Sequence, residues 1–191
     1  MPRAKSFITV AEYAVLGLLR ERPAHGYDLQ RYLSGRRGLG IVCPVEPAMV
    51  YAILKSLSGL ELINGEWDNT AYPPKAIYSV TEAGDAEFQR WLMRPVGRMR
   101  EIRQDLMVKL YFLINSEADS ELSDARQLID QQVDVCEVYA KEIEAELEGV
   151  PPGSFDALAF GSKLSAANLT RAWLLDSIKV LEGSRKEGSR R

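Results

Sequence analysis

The 191-residue sequence predicts a mainly α fold with one small β-hairpin: an N-terminal domain of short helices closed by the hairpin, then a C-terminal domain of long, coiled-coil-like helices. Three observations predict it. Apolar residues recur at helical spacing through residues 9–60 and are cut into segments by Pro23, by the stretch Gly35 to Gly40, and by Pro44 and Pro47. Apolar residues return at Leu62-Ile63 and from Ile77 to Val80, on either side of a polar tip running from Asp68 to Lys75. Further on, Leu122, Ile129, Cys136 and Ile143 stand seven apart on one long helical segment.

Each element has a local cause. Thr9 caps the first helix and Glu12 completes a capping box, with Tyr13, Val15, Leu16 and Leu19 as the inward stripe. A second helix starts near Gly26, turns Leu29 and Leu33 inward and Arg31 outward, and dissolves into the basic connector Gly35-Arg36-Arg37-Gly38-Leu39-Gly40. The third starts at Pro47, since proline suits a first helical turn, and Val50, Ile53, Leu54, Leu57 and Leu60 form its apolar face. Ala48, Met49, Ala52, Lys55 and Ser56 are left for its outside and edges. After the hairpin Thr81 caps a fourth helix that Pro95 stops. A mostly apolar helix from Ile102 to Ile114 is interrupted by Lys109 alone, and a helix of residues 121–148 follows. Too long for a small domain to enclose, that helix is expected to meet another long helix through a seam of Leu122, Ile129, Val133, Cys136, Ile143 and Leu147. The last helix, Phe155 to Leu181, carries two stripes, Phe155, Leu158, Ala166, Leu169 and Trp173 on one and Leu164, Leu174, Leu175, Ile178 and Leu181 on the other.

Composition narrows the function classes. The net charge of -3 is split as +1 over residues 1–94 and -4 beyond, so only a local patch, not net charge, can point to nucleic acid. The cysteines, Cys43 and Cys136, have no partner at metal-ligand spacing and are read as reduced thiols of a cytoplasmic protein. Glu12 breaks the apolar run that follows Arg3 and Lys5, which argues against a signal peptide, and no stretch approaches the ~20 apolar residues of a membrane span. With His25 the one histidine, no nucleophile has a base beyond it, no metal or cofactor motif occurs, and an enzyme is not expected.

A helix that enters the major groove needs short or basic side chains on its outer face, and Ala48, Met49, Ala52, Lys55 and Ser56 supply them. Arg31, Arg36, Arg37 and Lys75 add cations on the second helix, the connector and the hairpin tip, within reach of phosphates. Tyr51 and Tyr78 can pack their rings inward and turn their hydroxyls to a phosphate or to a core partner. His25, before Gly26, reads as a local hydrogen-bonding group.

The order Leu16-Gly17-Leu18-Leu19, His25-Gly26-Tyr27-Asp28-Leu29, Tyr51-x-x-Leu54-x-x-Leu57, and Tyr78-x-x-Thr81-Glu82-x-Gly84 resembles the winged helix-turn-helix domain of the PadR family of bacterial transcriptional regulators. The resemblance is good over about residues 9–94 and looser beyond, where it is to the longer members with a C-terminal helical dimerisation domain. It implies a homodimer on double-stranded DNA with an inverted-repeat operator, usually a repressor, in some members released by a small aromatic effector. The expected domains are 1–95 for DNA binding, 96–183 for dimerisation and 184–191 as a basic, disordered tail. DNA contacts fall to Arg31, Arg36, Arg37, Ala48, Met49, Tyr51, Ala52, Lys55, Ser56 and Lys75; dimer contacts to the long-helix seam with Leu169 and Trp173; an effector pocket to Trp91, Tyr111, Phe112 and Trp173. The sequence departs from the family where Glu61 stands in place of a usual glycine before the wing, and Ala48 in place of another. The competing reading is a dimeric winged-helix adaptor that binds protein instead of DNA.

Overall fold

The computed structural model describes residues 8–68, 75–115 and 119–188. The elements are α1 (Val10–Glu21), β1 (Ala24–His25), α2 (Gly26–Leu33), α3 (Leu39–Val42), α4 (Pro47–Gly59), β2 (Ile63–Asp68), β3 (Lys75–Val80), α5 (Glu82–Leu92), α6 (Ile102–Asn115), α7 (Asp119–Glu148) and α8 (Phe155–Gly188). They form two compact units, residues up to 94 with 103–112, and residues 95–102 with 113 onward. Among the described residues no helix is long and apolar enough to cross a membrane.

In the first unit α1 starts as its sequence dictates. The Thr9 hydroxyl accepts from the Glu12 amide at 3.3 Å while the Glu12 carboxylate accepts from the Thr9 amide at 2.7 Å, a reciprocal cap worth ~1 kcal/mol. Ala14, Val15, Leu16 and Leu19 are buried, and each fully buried Leu or Val contributes about 1.5–3 kcal/mol. Gly17 seats α6: a Cβ there would lie 2.3 Å from Cζ of the Phe112 ring, so only glycine admits that side chain.

The hairpin is a three-stranded antiparallel sheet in the order β1-β3-β2. Its register pairs Ile63 with Val80, Gly65 with Tyr78 and Asp68 with Lys75, so Asn64-Gly65 runs inside the strand instead of turning. β1, two residues pairing Ala24 with Tyr78 and His25 with Ile77, was not expected, nor was the one-turn helix α3 within the connector. The tip residues 69–74 lie outside the described residues. Glu61 has φ +60°, the left-handed conformation that suits glycine and costs a β-carbon-bearing residue about 1–2 kcal/mol.

In the second unit α7 and α8 pack along each other. Gln132, fully buried on α7, uses both ends of its amide on one residue: its oxygen accepts from the Val96 amide at 2.7 Å and its nitrogen donates to the Val96 carbonyl at 2.9 Å. The expected seam meets a long helix of the same chain. Ile129, Val133, Cys136 and Ile143 are buried within the chain itself, and so is Ala140, because α8 lies along them and places Ala167, Leu174 and Ile178 against that face. The heptad stripe is intramolecular core, Leu147 is half-buried at its end, and the side chain of Leu122 lies outside the described residues. What stays open is the first stripe of α8: Phe155, Leu158 and Leu169 are exposed by 81%, 71% and 74%, with Trp173 exposed beside them. Leu175, on the second stripe, is exposed as well, and α8 continues past Leu181 to Gly188, so the expected tail is helical backbone over residues 184–188.

Candidate nucleic-acid interface

Helix α4 is built in two faces. Val50, Ile53, Leu54 and Leu57 are buried against α1 and α2, which leaves Ala48, Met49, Tyr51, Ala52 and Lys55 exposed, while Ser56 is half-buried at the edge. Alanine at 48 and 52 keeps the outer face low, so a groove floor could come close to the helix axis. Pro47 occupies the first turn and Glu46 the N-cap, which fixes where the helix begins.

Cations divide by use. On α1 and α5, Arg20 meets Asp85 at 2.6 Å and Arg90 pairs with Glu87; Arg22, just beyond α1, donates to the Tyr32 hydroxyl and lies over its ring. Arg31, Arg36, Arg37, Lys55 and Lys75 are all exposed, and among the described residues none of them forms an ion pair. Four of these five lie on α2, the stretch before α3 and α4; Lys75 opens β3. Five positive charges without an ion-pair partner among the described residues make a surface suited to phosphates.

The tyrosines and His25 explain the short motifs. Tyr51, 55% exposed, lays its ring over Gly26, where a Cβ would come within 3.0 Å of its Cε1, so Gly26 is small to admit Tyr51. Tyr78 is half-buried across Gly65. His25 Nδ1 lies 3.0 Å from the Ala76 carbonyl and ties β1 to β3, the local bonding role its position suggests. Three exposed aromatic residues, Tyr27, Tyr32 and Trp67, escaped the sequence reading. Tyr27 falls out of phase with Leu29 and Leu33, a signal that was available. Trp67 falls in phase with Ile63 and reads as inward until the hairpin is seen to outrun its core.

The rings assigned to an effector pocket pack on neighbours. Trp91 stacks on Tyr13 with centroids 4.2 Å apart, and Phe112 meets Phe88 and Tyr111 edge-on at 5.1 and 5.2 Å. Trp173 belongs to the second unit. Beneath Trp91 sits Lys109, only 2% exposed, its Nζ 4.8 Å from the indole centroid, donating to the Arg94 carbonyl at 2.6 Å and 3.8 Å from Asp105. Burial pushes the Lys109 pKa down to about 8 against the pull of Asp105. The Tyr13 hydroxyl, buried and donating to Glu87 at 2.8 Å, is pushed up.

Residues 15–90 match the model of the transcriptional regulator PadR-like family. The negative transcriptional regulator PadR of Bacillus subtilis is 29% identical over 160 residues, 81% of this chain and 85% of that one. Among solved structures, B. subtilis PadR in complex with operator DNA is 23% identical, covering 91% of this chain and 99% of that one at a TM-score of 0.43. A PadR family regulator from Eggerthella lenta is 30% identical over 41% of this chain and 65% of that one, at a TM-score of 0.36. Over residues 15–90, which hold most of α1, all of α2 to β3 and most of α5, the chain is similar to the PadR-like family of transcriptional regulators.

Proposed function

We propose that the chain is a homodimeric repressor that binds an inverted-repeat operator in double-stranded DNA, with residues 1–95 as the DNA-binding domain and 96–183 as the dimerisation domain. The observation that carries the reading is the exposed face of α4, low at Ala48 and Ala52, beside unpaired Arg31, Arg36, Arg37 and Lys55. Repression is the activity in the name of the B. subtilis relative. The dimer is supported by the open stripe of α8, three large apolar side chains without cover from their own chain. A two-fold dimer sets two copies of α4 about one DNA turn, ~34 Å, or a multiple of it apart, as a palindrome requires. The reading assigns no reaction to the chain, places it in the cytoplasm with its DNA, and extends to a small aromatic effector because the family resemblance implies one; a B. subtilis PadR structure holds p-coumaric acid.

A gel shift on the promoter region of the chain's own gene tests the reading. Wild type should bind, and Arg36→Ala/Arg37→Ala and Lys55→Ala should bind more weakly on every sequence, with a salt slope flatter by about one for each phosphate left without its cation. Unchanged binding in both variants would favour the protein-binding adaptor.

A further inference from the structure

Trp67 is the most exposed aromatic side chain of the first unit among the described residues, at 70%. Along β2 it shares a sheet face with Ile63 and Gly65, because strand side chains alternate. Ile63 is buried at the root of the hairpin, and the Tyr78 ring covers Gly65. At Trp67 the core has run out, and the residue in register on β3 is Ala76, a methyl group. The fold gains little from an indole there. β2 is an edge strand that leaves directly from the end of α4, so its outer side faces no other strand.

The charges around Trp67 do not suit a phosphate. Glu66 and Asp68 flank it in sequence, and Lys75 is the single cation of β2 and β3. A wing of this composition that approaches DNA needs a contact that is not ionic. We propose that Trp67 provides it, seating its indole against the deoxyribose and base edges of the groove next to the one that α4 enters. The inference rests on the DNA-binding reading above and adds a residue that the basic surface does not include. Apolar side chains in a minor groove and aromatic faces on bases gain affinity through contact area and stacking, which neighbouring carboxylates weaken far less than they weaken an ion pair.

The experiment is equilibrium binding to the same promoter fragment over a series of salt concentrations, using wild type, Trp67→Phe, Trp67→Ala and Arg36→Ala/Arg37→Ala. Trp67→Ala should bind about ten-fold more weakly with the salt slope of wild type. Trp67→Phe should stay close to wild type in affinity. DNA should quench wild-type emission beyond that of Trp67→Phe, which retains Trp91 and Trp173. Circular dichroism and melting of Trp67→Ala should match wild type, since the indole leaves the core intact. Should Trp67→Ala bind as tightly as wild type while the double arginine variant binds weakly, the wing contact is wrong and the DNA reading stands. A flattened salt slope or a changed molecular mass in Trp67→Ala also overturns it, in favour of an ionic or a protein contact. A wild type that binds no such fragment fails at the earlier step.

Discussion

Lys109 gives the packing of the first unit a thermodynamic signature. Its ammonium, 2% exposed between the Trp91 ring and the Arg94 carbonyl, has a pKa lowered by burial from 10.5 to about 8. For a base whose folded pKa lies below its unfolded value, the unfolded chain holds more protons between the two, so stability rises with pH across that window. Below pH 8 both states are charged and the whole penalty of burying the charge is present. The slope is ~1.4 kcal/mol per pH unit in mid-window, so Lys109 should add about 1 kcal/mol between pH 7 and 9 and on the order of 2 kcal/mol by pH 10. Tyr13, Cys43 and Cys136 act in the opposite sense: burial raises their pKa values, so above the unfolded values of 10.0 and 9.0 the folded chain holds more protons and stability is lost as pH rises. They are common to wild type and Lys109→Met and cancel in the difference. Urea unfolding of both proteins from pH 7 to 10 should give a difference curve, wild type minus variant, that climbs by on the order of 2 kcal/mol. A flat curve would mean that the ammonium reaches water and that α6 does not close over Trp91 as described.

Three further outcomes are expected. Glu61→Gly relieves the left-handed φ of +60° and should stabilise by up to ~1 kcal/mol, raising Tm by about 3 °C in a thermal melt; a lower Tm would contradict the strain. Ile129→Glu places a carboxylate at a fully buried position and should cost several kcal/mol, on the order of 4, so circular dichroism should record lost helix at physiological temperature and not merely a dissociated dimer. Phe155→Ser/Leu169→Ser should leave helix content and Tm nearly unchanged while light scattering at micromolar concentration reports a monomer; a dimer that persists would move the interface away from the open stripe of α8.

What the sequence could express was local chemistry. Thr9 with Glu12, Pro47 at a first turn and Thr81 before Glu82 each fix a helix start through bonds made within a few residues, and all three appear in the fold. Helix α3 and strand β1 are too short, at four and two residues, for any period to register. The heptad on α7 says that a face is buried and not by what; α8 packs along α7 and covers it, so Ile129 and Cys136 are core within the chain while Phe155 and Leu169 stay exposed. Lys109 reads only as an interruption of an apolar run, since lysine is seldom buried; the neighbouring Arg94 carbonyl and indole reveal why it can be. The outward face of α4 was legible because a short helix with one apolar stripe leaves no choice of side.

The seat of Phe112 over Gly17 bears on how such a chain can be taken apart. The compact unit that holds the reading helix is not contiguous in sequence: the polypeptide leaves it at residue 94 and returns at 103 to thread the first ten residues of this stretch back into it. A fragment cut at residue 95 would strip cover from Phe88 and the Gly17 notch and take away the amine that meets the Arg94 carbonyl. The helical half therefore cannot be exchanged as a cassette. A gene fusion that grafts a new C-terminal domain onto this compact unit has to keep α6 through Phe112.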